Sequence, residues 1–230
     1  MTVEVPDDYV PGLVPWQLQR LQLRAHRYPG RFISFDGIDG SGKSSLIQQL
    51  SAYLDKQGQA YLVMKTPSED VRQSWVWKAF FDADHLADQP EVDTYGMSIM
   101  SFGDRIVHQR RVVEPALRAG TWVLCDRYIM SSAAFHTDVV HELLARTLIR
   151  PDLGVVVDVE PGEALRRIGE RGTEKLHPHD PGRHLTARER LRVLAGYNDF
   201  LLVETTSAAV HESFEALRER VDALLDAAHA

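Results

Sequence analysis

The sequence lacks most of the features that would place it in a specialised structural class. A single cysteine, Cys125, among 230 residues excludes an internal disulfide framework and a multi-cysteine zinc site. Apolar runs are short, so no membrane-spanning helix and no membrane partner are expected. The opening stretch MTVEVPDDYVPG has no basic segment followed by an apolar one, so no secretory signal is expected either. Cationic excess is also missing: 26 Lys and Arg against 33 Asp and Glu leave a formal charge of −7. That balance argues against broad electrostatic binding to a nucleic acid polymer. Fifteen glycines and eleven prolines are too few for a collagenous or low-complexity chain. What is present is the composition of a folded domain, 44% hydrophobic and 26% charged, long enough to bury an apolar core without covalent staples. The expectation is a cytoplasmic protein that works on small molecules.

Pro6, Pro11, Pro15 and Pro29 punctuate residues 1–30. That stretch reads as an N-terminal extension in which only Trp16 to His26 is long enough for a short helix. The domain proper is expected over 31–230. Within it Phe32–Asp36, Ala60–Lys65, Thr121–Asp126, Leu153–Val159 and Phe200–Glu204 are short runs rich in β-branched or aromatic residues. Segments long enough for helices separate them, chiefly Lys43–Lys56, Thr94–Ala119, His136–Ile149 and Gly162–Gly172. This alternation predicts an α/β fold with a parallel sheet covered on both faces. Phe214, Leu217, Val221, Leu224, Leu225 and Ala228 recur at spacings of three and four, which predicts a C-terminal helix packed through that face. Between Arg166 and Arg192, eight Lys and Arg stand against four Asp and Glu, +4 in an acidic chain. Broken by Gly and Pro, this segment reads as a mobile cover over an anion or as a solvated helix–loop–helix.

The strongest local signal is Gly37-Ile38-Asp39-Gly40-Ser41-Gly42-Lys43-Ser44, a G-x-x-x-x-G-K-[ST] loop. It follows an apolar strand and opens a helical stretch, which is the context the motif requires. Gly37, Gly40 and Gly42 let the backbone turn with its N–H groups inward, an anion nest at a helix N-terminus. Asp39, Ser41 and Ser45 complete the expected nucleotide-binding stretch. Lys43 reaches for the outer phosphates, and the Ser44 hydroxyl is placed for Mg²⁺. No guanine-reading N-K-x-D sequence occurs, so a regulatory GTPase is not expected. A small phosphotransferase is, and it needs a second anion site for its acceptor.

Cys125-Asp126-Arg127-Tyr128 supplies a candidate for that second site at the C-terminal end of a strand, where ligands of open α/β sheets bind. Asp126 suits Mg²⁺ and Arg127 suits bidentate capture of a phosphate. With Arg31 through Ser45, Gly103-Asp104-Arg105, Asp126-Arg127-Tyr128 followed by Ser131-Ser132, Pro151-Asp152-Leu153, Val157-Asp158-Val159 and Ala164 through Ile168, the chain resembles the thymidylate kinase family over roughly 31–225. The resemblance implies a P-loop NTPase fold: a five-stranded parallel sheet flanked by helices, with a basic lid over about 166–192. It implies ATP with Mg²⁺, a homodimer, and transfer of the ATP γ-phosphate to a nucleotide 5′-phosphate. Asp39 would then help arrange acceptor and metal, Arg105 would approach the acceptor base, and Arg127 its phosphate. Gly40 stands where some members carry a loop arginine, so the catalytic cation is expected from the lid, with Arg171 first.

Two departures lie on the acceptor side. Where the family usually shows Arg-Glu-Pro-Gly after the second strand, this chain has Lys65-Thr66-Pro67-Ser68-Glu69-Asp70-Val71-Arg72, and Arg72 is the candidate replacement contact. The position four before Arg105, normally a stacking Phe, is Ser101, with Phe102 one place along. His136 falls near where the family often has Gln by the base. These changes suggest altered substrate choice with the donor half intact. The alternative is a kinase acting on a hydroxyl of a nucleoside or other metabolite, with Glu69 or Asp70 as general base.

Overall fold

The computed structural model describes residues 20–80, 91–135, 146–171, 181–207 and 210–229. Its centre is a five-stranded, all-parallel sheet. The strands are β1 (Phe32–Asp36), β2 (Tyr61–Lys65), β3 (Trp122–Asp126), β4 (Leu153–Asp158) and β5 (Leu201–Glu204), side by side in the order β2-β3-β1-β4-β5. β1 lies in the middle of this order between β3 and β4, and the side chains of these three strands alternate between the two faces. Ile33, Phe35, Trp122, Leu124, Val155 and Val157 enter one apolar cluster, and Phe32, Val123, Cys125 and Val156 the other. A central parallel strand is covered on both sides, which is why β1 reads as a nearly unbroken apolar run.

The first face is closed by α1 (Lys43–Lys56) and by α9 (Val210–His229). Leu46, Leu50 and Leu54 of α1 meet Leu217, Val221 and Leu225 of α9, so the C-terminal amphipathic stripe is a core-packing face. Between β2 and β3 come the short helices α2 (Glu69–Gln73) and α3 (Trp75–Phe80), then α4 (Glu91–His108) and α5 (Glu114–Arg118). A wide π-type turn over Gln109–Val113 joins the last two. The second face carries α4, α5, α6 (Ile129–Phe135) and α8 (Pro181–Asn198), while α7 (Pro161–Arg171) leads out of β4.

Two expectations need comment. The helix expected to end at His26 is not formed over 20–26. Residues there are extended, with Arg24 in a parallel bridge to Ile149. Their backbone groups find partners outside the segment: Arg24 N–H donates to Leu148 O, Arg150 N–H to Arg24 O, and Leu21 N–H to Asn198 Oδ1, each at 2.8 Å. With Leu21 only 4% exposed, the strap gains a buried side chain and satisfied amides that an isolated helical turn would lack. The helix expected from His136 falls largely outside the described residues, as does residue His136 itself.

Candidate active site

The loop 37–42 connects the C-terminal end of β1 to α1 at the centre of the sheet's carboxyl edge. Gly42 is the N-cap of α1 with φ 94°, and Gly40 has φ 78°. At Gly40 a Cβ would lie 2.4 Å from the carbonyl oxygen of Ala164 on α7, so neither an arginine nor any other side chain fits there without displacing that helix. The loop is also braced from outside. The Thr205 hydroxyl, just past β5, donates to Ser41 O at 2.9 Å, and Arg167 reaches Thr205 O at 2.6 Å and Gly40 O at 3.5 Å.

Lys43 folds back over this loop, only 6% exposed. Its Nζ donates to Ile38 O at 2.8 Å, Gly37 O at 3.1 Å and Ser41 Oγ at 3.4 Å. Burial, reinforced by the nearby Arg127 cation, pulls its pKa down to about 8. An ammonium so placed is held ready for an incoming polyphosphate, which would restore its preference for charge. Ser44 is exposed at the first turn of α1 and Ser45 half-buried.

Arg127 immediately follows β3 and has φ 69°, a left-handed conformation that non-glycine residues adopt rarely. Its guanidinium turns back to the loop, donating to Gly37 O at 3.0 Å and pairing with Asp39. Asp126 is largely buried, with Lys65 Nζ 3.7 Å from one carboxylate oxygen and the other, Oδ1, without a hydrogen-bond partner among the described residues. Asp39, Lys43, Asp126 and Arg127 therefore converge on the phosphate loop.

Arg105, on α4, is buried and donates to Thr66 Oγ1 at 3.0 Å and to Ser101 O at 3.2 Å. Thr66 in turn donates to Arg127 O at 2.6 Å, so one hydroxyl joins the two acceptor-side arginines. Asp104 receives the Ser68 amide at 2.7 Å and its hydroxyl at 2.6 Å, which fastens the segment after β2 to α4. Glu69 and Arg72 do not join this group. They pair with each other on α2 at 2.9 Å, and the Gln73 amide together with Arg72 holds the Glu69 carboxyl below the usual range. A solvent-exposed, charge-stabilised carboxylate is a weak general base. Phe102 is 1% exposed and belongs to the core. It lies three positions before Arg105 on α4, so the two side chains share one side of the helix, and the Arg105 guanidinium sits 6.0 Å from the centre of the ring.

Residues 172–180 of the basic segment lie outside the described residues, and several of its described cations have internal partners. Arg166 pairs with Glu163 and Glu170, Arg167 braces the loop, and Arg188 and Arg192 both clamp Asp158 at the end of β4. Arg171 is exposed at the last turn of α7. The residues that sequence reasoning missed are Asp36, Thr66, Asp158 and Thr205. A charged residue closing an apolar strand was a visible signal for Asp36 and Asp158; Thr66 and Thr205 gave none.

A glycine-rich loop with its lysine between the central strand and first helix of a β2-β3-β1-β4-β5 sheet defines a nucleotide-binding phosphotransferase domain of the P-loop type. The family model described as thymidylate kinase matches residues 35–215, and the chain belongs to that family of ATP-dependent nucleoside monophosphate kinases. A probable thymidylate kinase of Pyrococcus horikoshii is 30% identical over 149 residues, 63% of this chain and 72% of the relative. The thymidylate kinase of Glaesserella parasuis is 28% identical over 210 residues, covering 85% of this chain and 97% of the relative. That of Cutibacterium acnes is 28% identical over 207 residues, covering 86% and 98%.

Proposed function

We propose that the chain transfers the γ-phosphate of ATP to the 5′-phosphate of a deoxynucleoside monophosphate, with thymidine monophosphate as the reference acceptor. The observation that carries this reading is Arg127, whose left-handed backbone brings a guanidinium onto the donor loop between Gly37 O and Asp39. An acceptor phosphate bound there faces the outer phosphates held by the loop and Lys43. An acceptor oxygen then forms a bond to the γ-phosphorus while the bond to the β–γ bridging oxygen breaks, and ADP leaves. The phosphate oxygen is already anionic, so no base is required, in keeping with the exposed, paired Glu69.

In this reading Asp39 orients Arg127 and Arg105 approaches the base. Arg171 supplies the cation that Gly40 cannot, by stabilising charge on the transferred group. The Oδ1 of Asp126, unpartnered among the described residues, and the exposed Ser44 hydroxyl are a hard oxygen set suited to Mg²⁺. When bound, that ion neutralises charge on the phosphates. Arg72, Phe102 and His136 remain candidates for shaping the acceptor side, Phe102 from within the core. We take the working form to be a homodimer, as the resemblance implies. We take the compartment to be the cytoplasm; among the described residues no helix is long and apolar enough to cross a membrane.

The test is ATP consumption with Mg²⁺ over a panel pairing each nucleoside with its 5′-monophosphate. Turnover with a monophosphate and none with its nucleoside is the expected result. Turnover with nucleosides alone overturns it. Sedimentation of the purified chain reads the dimer.

A further inference from the structure

Asp36 ends β1 immediately before the phosphate loop and is fully buried. Its Oδ1 accepts three hydrogen bonds from the segment after β3: the Tyr128 amide at 2.9 Å, the Ser131 amide at 2.8 Å and the Ser131 hydroxyl at 2.6 Å. Its Oδ2 is buried with no partner among the described residues. Burying a carboxylate is costly unless donors offset it, and the donors here are Tyr128, next to Arg127, and Ser131 in the first turn of α6.

That turn is the strained element of the site. A non-glycine residue at φ 69° costs about 1–3 kcal/mol and persists only where its surroundings over-determine it. The Arg127 amide donates to Phe35 O at 2.8 Å, and its carbonyl accepts from Thr66 Oγ1 at 2.6 Å and from Cys125 Sγ at 3.1 Å. Burial pushes the Cys125 thiol well above its ordinary pKa, so that contact stays a neutral S–H donor. Asp36 holds the far side by capturing the next amide in the chain. The Asp36 charge also attracts both Arg127 and Arg105.

We propose that Asp36 is the positioning residue for Arg127: its carboxylate locks the left-handed turn that delivers the guanidinium to the acceptor phosphate. This rests on the reading of Arg127 given under the proposed function. Asp36 contacts neither nucleotide in this role, and its effect on the reaction passes through the arginine.

A double-mutant cycle on the full chain tests it, with Asp36→Asn, Arg127→Ala and the combination. The readouts are KM and kcat for thymidine monophosphate and the ATP dissociation constant by calorimetry. The amide keeps the side chain's shape but removes its charge and turns one buried oxygen into a donor. Asp36→Asn is expected to lower acceptor kcat/KM by about 30-fold in the wild-type background and by less than about 3-fold beside Arg127→Ala. The ATP dissociation constant is expected to change by less than about 2-fold. Equal losses in both backgrounds, or a parallel loss of ATP affinity, overturn the proposal while leaving the role of Arg127 standing. An Arg127→Ala enzyme with unchanged acceptor kinetics overturns that role and the proposal with it. Where the buried amide prevents folding, Ser131→Ala removes one donor only. It is then expected to raise acceptor KM by about 3-fold with ATP binding intact, and an unchanged KM overturns the proposal.

Discussion

The donor and acceptor halves of this site are built in opposite ways. The proposed donor half is one contiguous stretch, β1 through the first turn of α1, which offers a glycine-rich backbone and a single lysine. The acceptor half is assembled from distant pieces: Thr66 after β2, Arg105 on α4, Arg127 after β3 and Asp36 at the end of β1, joined through hydroxyl and carboxylate bridges. A local loop tolerates change elsewhere in the chain, whereas a site held by long-range bridges can be retuned by any one of them. The departures from the family pattern fall in the acceptor half.

Breaking the donor half directly should have the largest effect. Lys43→Ala is expected to lower turnover by about 10³-fold without loss of thermal stability, because it removes a buried ammonium. Steady-state kinetics and a melting curve check both parts, and a Tm drop matching the activity loss would show that Lys43 is mainly structural. Next comes the contact that couples the loop to α7. Gly40→Ala places a Cβ 2.4 Å from Ala164 O at φ 78°. It is expected to cost about 1–3 kcal/mol of stability and to weaken ATP binding, read by denaturant unfolding and calorimetry.

The brace behind both halves should rank third for catalysis. Asp158 is buried, and although burial disfavours its charge, Arg188 and Arg192 hold the carboxyl below its ordinary pKa. Asp158→Asn removes the buried anion that both arginines share, leaving Arg188 its pair with Glu160, and is expected to destabilise the chain by about 3 kcal/mol. Activity at low temperature should be largely retained, so equilibrium unfolding and kinetics together separate brace from catalyst.

The smallest effect is a pH dependence. With Lys43 at about 8 in the folded chain against 10.5 for the free side chain, ATP affinity should fall as pH rises through 8 and the ammonium is lost. Stability runs the other way. The folded state releases this proton before the unfolded chain does, so the contribution of Lys43 to stability rises with pH between about 8 and 10.5. Calorimetric titrations of ATP from pH 7 to 9.5, with parallel melting curves, check both signs. A fall in affinity that merely tracks a fall in Tm would refute this account of Lys43.

The sequence by itself determined the strand-and-helix alternation, the phosphate loop and its lysine, and the family, because each is encoded by residues close together in the chain. The nearly unbroken apolar run of Phe32–Asp36, buried at every position, and the glycine spacing from Gly37 to Gly42 need no distant partner to be recognised. Tertiary structure alone decided that residues 20–26 run extended, since the partners for their amides come from Leu148 and Asn198, far along the chain. It likewise decided that Arg167, Arg188 and Arg192 serve internal anchors, because Glu163, Thr205 and Asp158 reach them through folding. It also decided that Phe102 enters the core while Arg105, one helical turn on, lies over its ring and reaches Thr66. The left-handed turn at Arg127 is the clearest case: no local preference favours it, and the partners that hold it are Phe35, Asp36, Thr66 and Cys125, three of them more than sixty residues away in sequence.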